Sequence, residues 1–466
     1  MKIKIYCVVV SLFILTSTAY SVDAPDAENT MTVALTADDI TLDPLHSYRT
    51  DELQIATGIY EGLVGYHPQT LRPIPGAAYK WDISDDGRTY RFYLRKRAKF
   101  SNGDSVTAED FRESWLRIIN PEAEGEYSFL FDVIRGAADY RGGRRADSAS
   151  VGIRTDGSHI LVVELDRPAS HFMSMLPHMS FAPIHQKYRE NTGWEQRPAD
   201  GSNSKIQEPL ISNGPFVLSS WTADEMHLER NLEYWDSWHV ALDGIRLISV
   251  DNPVETSRLL NNGDVLWADY ADTSLLENGS LVQVGALFAT SYLYFRTEAE
   301  PWDNPLVRKG LALLIPWNQL RSNASAFIST TLVPAVGFYE PPAGLVEKDV
   351  EKGLALLEEA GYPKGKGLPE ISIVVTPGSV AESVATEAAD IWKNLLDVSV
   401  EIVQVSFNQY TNVIRQGGYT MGSSTWIGDF ADPLSFLQMW ITGTKLNDAR
   451  YSSSRYDDLI EDALSR

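Results

Sequence analysis

The sequence predicts a mixed α/β fold, because two kinds of segment alternate along the chain. Segments rich in β-branched residues are typical of strands. Segments with apolar residues at the helical period and capping residues at their ends are typical of helices. The strand-like segments are residues 31–35, 160–165, 371–375 and 398–405.

The helical segments between them carry clear start and stop signals. Thr107 opens the sequence T-A-E-D, which resembles a capping box, and an apolar stripe follows it. Ser379 opens S-V-A-E in the same manner, and the segment 350–360 ends at Gly361 with Pro363 beyond it. The stripe after Thr107 consists of Phe111, Trp115, Ile118 and Ile119, and the stripe after Ser379 of Val384, Ala388, Ile391 and Leu395.

The length of the chain indicates how many domains it forms, and its net charge excludes one class of partner. At about 150 residues per domain, a chain of 466 residues suggests several domain-sized units. The formal net charge is −23, and such a field repels polyanions and cannot release counterions from a phosphate backbone. We therefore expect no nucleic-acid partner.

The N-terminal sequence is typical of a cleavable signal peptide. Two lysines lie within residues 1–4, residues 5–15 are apolar apart from Ser11, and Ala19 and Ser21 supply small residues before a cleavage site after Ser21. The apolar run is too short for a membrane span, which needs about 20 residues. The chain's single cysteine, Cys7, lies inside this run, so the mature chain has no thiol for a disulfide or a thiolate metal site. Because Cys7 precedes most of the apolar run, we expect no lipid anchor.

Several motifs in a shared order resemble the peptide-binding proteins of ABC importers, the oligopeptide and dipeptide family known as extracellular solute-binding protein family 5. The resemblance extends along nearly the whole mature chain, and its strength comes from the order and spacing of the motifs. The motifs are Leu42-Asp43-Pro44, Tyr60-Glu61-Gly62-Leu63, residues 90–111, Asn213-Gly214-Pro215-Phe216, Leu228-Glu229-Arg230-Asn231, Tyr234-Trp235-Asp236, Glu359-Ala360-Gly361-Tyr362 and residues 426–433 (WIGDFADP).

The resemblance implies a two-lobed, clamshell-like fold with an additional domain inserted in lobe one. Members of the family continue beyond lobe two and return to lobe one. The helical pattern of residues 456–464 here runs to Arg466 without a stop signal, so we expect a truncated version of a longer chain. The predicted divisions are a signal peptide (1–21), the first segment of lobe one (22–61), the inserted domain (62–183), the second segment of lobe one (184–289) and lobe two (290–466).

The segment 425–433 carries the most specific site prediction. Asp432 before Pro433 is typical of a helix N-cap with proline at the first helical position. Asp429 has no such role in the pattern and lies beside aromatic residues, where a carboxylate suits a ligand ammonium. The resemblance assigns the matching aspartate to the free amino terminus of a peptide, with Trp426 and Ile427 lining the site. The alternative is that Asp429 only stabilises the loop.

Two further aromatic residues, Tyr127 and Phe407, match ligand-contacting positions of the family. Tyr292 and Tyr294, on the apolar strand SYLYF, are two more candidates. Tyrosine hydroxyls can bind the main chain of a peptide, which would allow binding without regard to side-chain identity. The alternative for each of them is core packing, which is the commoner role of aromatic residues.

The resemblance implies an exported, periplasmic and monomeric protein that captures oligopeptides and delivers them to the membrane permease subunits of an ABC transporter. We expect no catalytic residues, no cofactor and no metal. One alternative is a non-peptide solute such as a nickel chelate, haem, an opine or a sugar. A second alternative is a hydrolase. The turn Gly103-Asp104-Ser105-Val106 resembles the nucleophile turn of such enzymes, but the sequence does not indicate a histidine that could act as its base.

Overall fold

A computed structural model describes most of the chain as two compact units. One unit consists of the described residues up to 279, and the other of those from 288 to 464. The described ranges are 29–36, 40–47, 49–68, 70–123, 125–188, 210–222, 224–279, 288–324, 329–335, 339–344, 348–377, 379–430, 432–444 and 446–464. The proposed signal peptide lies outside these ranges. Among the described residues, no helix has the length and apolar character that a membrane crossing requires.

The strands and helices follow the predicted alternation. The strands are β1 (Thr30–Leu35), β2 (Val64–Tyr66), β3 (Pro73–Pro75), β4 (Ala78–Ile83), β5 (Thr89–Leu94), β6 (Ile153–Thr155), β7 (Ile160–Glu164), β8 (Phe216–Trp221), β9 (Glu225–Arg230), β10 (Gly244–Ser249), β11 (Trp267–Ala268), β12 (Ala289–Phe295), β13 (Ile371–Val375), β14 (Val400–Gln404) and β15 (Met421–Ile427). The helices are α1 (Thr50–Ile59), α2 (Ala108–Ile118), α3 (Ala137–Arg141), α4 (Phe172–Met175), α5 (Pro253–Asn262), α6 (Pro305–Leu313), α7 (Trp317–Ala324), α8 (Val350–Glu359), α9 (Val380–Leu395), α10 (Phe407–Gln416), α11 (Leu434–Leu437) and α12 (Ser454–Leu464).

In the N-terminal unit, the first strand joins strands that come much later in the chain. A five-stranded sheet has the order β11-β1-β10-β9-β8, with β1 parallel to both β10 and β11. A separate antiparallel sheet, β4-β5-β7-β6, is built from the intervening residues. The chain therefore leaves the first sheet after β1 and α1 and returns to it at β8.

Helix α2 confirms its predicted start and its buried face. The Thr107 side chain accepts a hydrogen bond from the Asp110 backbone N–H, and the Asp110 carboxylate accepts one from the Thr107 N–H at 2.8 Å. The predicted stripe residues are all buried, and the Trp115 indole N–H donates to the Phe181 carbonyl at 2.9 Å. Capping box and apolar period thus place this helix against β6 and β7.

The C-terminal unit is built on a mixed sheet with the order β12-β15-β13-β14. Strand β15 pairs antiparallel with β12 and parallel with β13. The pairing of β15 with β13 covers only Met421 and Gly422. At the next residue, Ser423, the backbone of β15 bonds to the Tyr410 hydroxyl instead. This hydroxyl donates to the Ser423 carbonyl at 2.5 Å and accepts from the Ser423 N–H at 2.9 Å. A tyrosine of α10 therefore replaces a strand neighbour just before the loop that carries Asp429.

Helix α9 corrects one detail of the sequence analysis. Ser379 caps it as predicted, with its hydroxyl accepting from the Glu382 N–H at 3.1 Å. The buried face is formed by Ala385, Ala388, Ala389 and Trp392, whereas the predicted stripe residue Leu395 is exposed. The small alanines allow the helix to lie close to the sheet, and Trp392 supplies the volume.

Glu61 joins three of the sequence motifs in the N-terminal unit. Its carboxylate accepts hydrogen bonds from the Tyr234 hydroxyl at 2.6 Å and the Trp235 indole at 2.8 Å. Its backbone exchanges two hydrogen bonds with the Asn213 side chain, at 3.1 and 2.8 Å. The Arg95 guanidinium lies 3.6 Å from the Trp235 ring centre instead of pairing directly with the carboxylate. Burial raises the pKa of Glu61 from 4.5 to about 7.

This pKa generates a prediction for stability. The pKa of Glu61 is higher in the folded protein than in the unfolded chain. Between about pH 4.5 and 7, the folded protein therefore keeps a proton that the unfolded chain releases. The free energy of unfolding consequently falls as the pH rises through this window. In Glu61→Gln, the amide can accept from Trp235 and donate to Tyr234. Between pH 5 and pH 8, we expect the free energy of unfolding to fall less in this variant than in wild type. The difference between the two decreases should be up to about 3 kcal/mol. Urea unfolding of both proteins at both pH values measures this difference. Identical pH dependence in the two proteins would contradict the prediction.

Candidate functional site

The predicted site segment follows β15 and leads into α11. The capping role predicted for Asp432 is confirmed, because its Oδ1 accepts a hydrogen bond from the Leu434 N–H at 2.9 Å and its carbonyl accepts from the Ser435 N–H at 3.0 Å. Pro433 has helical backbone angles and directly precedes the helix. Asp432 therefore fixes the direction in which the chain leaves the loop.

Ser435 holds the other side of this loop. Its buried hydroxyl accepts a hydrogen bond from the Asp429 backbone N–H at 2.6 Å. Its carbonyl accepts from the Trp426 indole N–H at 2.9 Å. One residue of α11 therefore fixes both the Asp429 backbone and the Trp426 ring. The sequence analysis did not identify Ser435, and the only signal for it was its position three residues after the capping aspartate.

Gly428 lies where two aromatic rings meet. Phe288 and Phe436 pack edge to face with 4.8 Å between ring centres. A side chain added at Gly428 would overlap the Phe288 ring and come within 2.8 Å of Phe436. The Gly428 N–H also donates to the Phe288 carbonyl at 2.8 Å. The glycine therefore allows the end of β15 to lie directly on this aromatic pair.

The resulting arrangement brings Trp426, Ile427 and Asp429 together at the end of one strand. All three are half-buried, whereas the neighbouring Phe430 is buried. The indole N–H of Trp426 is already used by Ser435, so Trp426 can offer a ligand only its ring surface. Chemically, the segment carries a carboxylate and, three residues before it, a fixed indole ring, and these two groups together suit an amine with an apolar neighbour.

Tyr292 and Tyr294 lie on β12, next to the strand that carries the loop. Tyr292 pairs in register with Ser424, two residues before Trp426, and its ring centre is 5.7 Å from that of Trp440. Tyr294 is buried, and its hydroxyl lies 3.1 Å from the hydroxyl of Tyr419. Burial raises the pKa of both tyrosines, so both hydroxyls stay protonated. Both contact a hydrophobic cluster on one face of the sheet, and a ligand-contacting role for either tyrosine stays a prediction.

The remaining two predicted residues are Tyr127 and Phe407. Tyr127 belongs to the N-terminal unit, where it is buried with its ring centre 4.4 Å from that of His178. Burial lowers the pKa of His178 to about 4, so the imidazole stays neutral. Phe407 is the first residue of α10, and its side chain lies outside the described part of the structure. A ligand-contacting role for either residue remains a prediction.

At the serine turn 103–106, a histidine pairs with Asp104. His185 Nε2 is 2.9 Å from the Asp104 carboxylate. His185 Nδ1 accepts a hydrogen bond from the Lys187 N–H at 3.2 Å. Both ring nitrogens are thus engaged, and neither is available to activate a serine. Within the described ranges, no group of three or more His, Cys, Asp or Glu residues could hold a metal ion.

Comparison with known families identifies the chain. Residues 72–448 match the family described as bacterial extracellular solute-binding proteins, family 5 Middle. The chain belongs to this family. The matched residues include most of the motifs and all of the predicted site residues.

Individual relatives agree with this assignment. The oligopeptide-binding protein OppA of Bacillus subtilis is 29% identical over 401 residues, which are 82% of this chain and 72% of that protein. The crystal structure of the periplasmic oligopeptide-binding protein OppAIV of Borrelia burgdorferi superposes with a TM-score of 0.81 at 28% identity and covers 94% of this chain and 88% of its own. The murein tripeptide binding protein MppA of Escherichia coli has a TM-score of 0.83 at 21% identity, covering 94% and 87% of the two chains.

These findings confirm the predicted fold class, the two-lobed fold of this family with mixed α and β content. They do not test the domain boundaries at residues 61, 183 and 289, which stay predictions. The proteins named above are binding proteins. The family resemblance recognised from the motifs is therefore confirmed.

The packing at Gly428 generates a second prediction. In Gly428→Ala, the methyl group must displace Phe288 or Phe436, and overpacking of this kind costs about 1 to 3 kcal/mol. We expect amide hydrogens of β15 to exchange about tenfold faster or more. Hydrogen exchange followed by mass spectrometry measures this.

Gly279→Ala is the control, because an added methyl there meets no atom within 4 Å. Unchanged exchange of β15 in Gly428→Ala would show that the aromatic pair does not constrain the loop.

Proposed function

We propose that this family member is an exported, monomeric protein that captures oligopeptides and delivers them to the permease subunits of an ABC transporter. The family assignment, and relatives whose names state oligopeptide binding, support this proposal. The charged start and short apolar run of residues 1–21 support export, with cleavage after Ser21. In a bacterium with two membranes the mature protein would act in the periplasm.

The observation that carries the choice of ligand is the anchored loop at the end of β15. A peptide has a cationic amino terminus followed at once by a side chain. The Asp429 carboxylate would bind the amino terminus, and the exposed face of Trp426, with Ile427 beside it, would contact the first side chain. Because Ser435 fixes both Trp426 and the Asp429 backbone, binding would not have to order this loop.

Native mass spectrometry of the purified mature protein tests the proposal directly. Co-purified oligopeptides of mixed sequence would support it. A single non-peptide solute, such as a metal chelate or a sugar, would replace it with the alternative ligand class. Turnover of added peptides would indicate a hydrolase.

The role of Asp429 generates a third prediction. Asp429→Asn leaves the ligand ammonium desolvated and without its counter-charge, a loss of about 2 to 5 kcal/mol. We expect at least roughly thirtyfold weaker binding of a free peptide, and a smaller preference for that peptide over its N-acetylated form. Titration calorimetry with a peptide identified in the co-purified material and its acetylated form measures both quantities.

Asp432→Asn is the matched control. Asparagine caps helices about as well as aspartate, so this variant should retain the affinity of wild type. Equal affinities of wild type and Asp429→Asn for the free peptide would remove Asp429 from the site.

The hydrogen bonds of Ser435 generate a fourth prediction. Ser435→Ala removes the acceptor of the Asp429 N–H but keeps the carbonyl that binds Trp426. We expect a severalfold smaller preference for free over acetylated peptide, and no further reduction when Asp429 is already asparagine. Ser291→Ala, which removes a hydroxyl paired with Thr425 outside the loop, should leave the preference unchanged. Additive effects of Ser435→Ala and Asp429→Asn would show that Ser435 does not act through Asp429.

A further inference from the structure

Strand β4 lies at one edge of the antiparallel sheet in the N-terminal unit. The order of this sheet is β4-β5-β7-β6, and all of its strands come from residues 78–164. The ladder of β4 with β5 has a bulge between Ala78 and Lys80 and is regular from Lys80 to Ile83. In the described part of the chain, no backbone group outside β5 bonds to residues 80–83. The outer side of these four residues is therefore open to a further strand.

The hydrogen bonds of the hairpin show which backbone groups point to this edge. The Ser84 N–H donates to the Thr89 carbonyl at 2.9 Å, where the hairpin closes. Bonds to the neighbouring strand recur at every second residue of an antiparallel ladder. The N–H and C=O groups of Trp81 and Ile83 therefore point away from β5. Groups of this kind can pair with another strand, and Ile83 leaves room for one, since 46% of it is exposed.

Two residues of opposite charge lie on the same face of β4. The Lys80 ammonium is 4.1 Å from the Tyr93 ring centre, and the Tyr93 hydroxyl donates to the Asp82 carboxylate at 2.7 Å. Both charged side chains are exposed, and neither forms an ion pair within the described ranges. A lysine on an edge strand usually protects the edge from pairing. This edge is therefore open only to a strand that supplies a counter-charge.

The sequence of β4 supplies this counter-charge itself. In an antiparallel pair of two β4 strands centred on Trp81, Lys80 of each copy lies opposite Asp82 of the other. The outward N–H and C=O of Trp81 bond to those of its counterpart, and the two indole rings lie opposite each other. Opposite charges and aromatic rings in such cross-strand positions stabilise a sheet, whereas like charges destabilise it. Moving the two-fold axis to Asp82 would set two carboxylates against each other, so the charges select one register.

We propose that two copies of this chain associate through their β4 strands, in an antiparallel pair centred on Trp81 with Lys80 of each copy facing Asp82 of the other. The contact is isologous, because each copy offers the same surface. One short strand from each copy buries less than the roughly 1,200 Å² at which stable interfaces begin, so the dimer is transient. It forms at high concentration, and the monomer proposed above for peptide binding is the form at micromolar concentration. The interface contains none of the candidate ligand-binding residues, so the two proposals can fail separately.

Sedimentation velocity of the mature chain tests the proposal at concentrations from roughly 10 µM to 1 mM. A salt concentration of about 0.15 M screens the repulsion between two copies with a formal net charge of −23. We expect the sedimentation coefficient of wild type to rise with concentration. Lys80→Asp sets aspartates opposite aspartates and Asp82→Lys sets lysines opposite lysines, so each variant should associate at least about tenfold more weakly.

The charge pattern allows two rescue experiments. Lys80→Asp combined with Asp82→Lys exchanges the two charges and should restore the association of wild type. An equimolar mixture of the two single variants should associate although neither does so alone, because every aspartate of one variant then faces a lysine of the other. The mixture separates pairing between copies from an effect on the fold of one copy, which mixing cannot repair.

Lys393→Asp and Asp390→Lys are the charge-matched controls. Both residues are exposed on α9 in the other unit, and both variants should associate like wild type. Ile83→Pro removes an outward N–H without breaking a bond to β5, so it should weaken association. The proposal is overturned if the sedimentation coefficient of wild type does not depend on concentration, if either charge reversal on β4 associates as well as wild type, or if the mixture of the two single variants does not associate.

Discussion

The N-terminal unit depends on the hydrogen bonds made by Glu61. Its main sheet takes β1 from the start of the chain and its remaining strands from residues 216–268, so two distant chain segments must be fixed to each other. Glu61 accepts bonds from Tyr234 and Trp235, and Asn213 pairs with its backbone. Gly214 allows this approach, because a side chain there would come within 2.5 Å of the Ile59 carbonyl carbon. Several short motifs that are separated in sequence thus form one contact in the fold.

This contact explains why the motifs were informative about the family and uninformative about the site. Tyr60-Glu61-Gly62-Leu63, Asn213-Gly214-Pro215-Phe216 and Tyr234-Trp235-Asp236 are short, but each supplies one partner to the same junction. The junction belongs to the scaffold of the N-terminal unit and contains none of the candidate ligand-binding residues, and a fold does not by itself determine the solute. The family was therefore recognisable from the sequence, whereas the ligand has to be argued from the loop after β15.

Local signals were the ones that could be predicted. The caps at Thr107, Ser379 and Asp432 depend on residues two or three positions away, and the structure contains all three. The buried face of α9 and the role of Ser435 depend on what packs against them, and sequence periodicity does not contain that information. The sequence could not decide between the two interpretations of Tyr127, as a ligand contact or as a core residue. Its contact with His178 forms only in the folded unit, and sequence periodicity does not contain that information.

The hydrogen bonds around the loop also bear on how side chains of a ligand could be selected. Trp426 donates its indole N–H to Ser435, so a ligand side chain at this ring would meet an aromatic surface without a directional donor. Recognition by surface contact discriminates weakly, since one methylene group changes binding by only about 1 to 3 kcal/mol. A charged amine, by contrast, is selected strongly by a carboxylate, because an unpaired desolvated charge is costly. A site that combines Asp429 with the ring face of Trp426 would therefore discriminate at the amino terminus and remain tolerant at the side chain, which is the selectivity that a general peptide-binding protein requires.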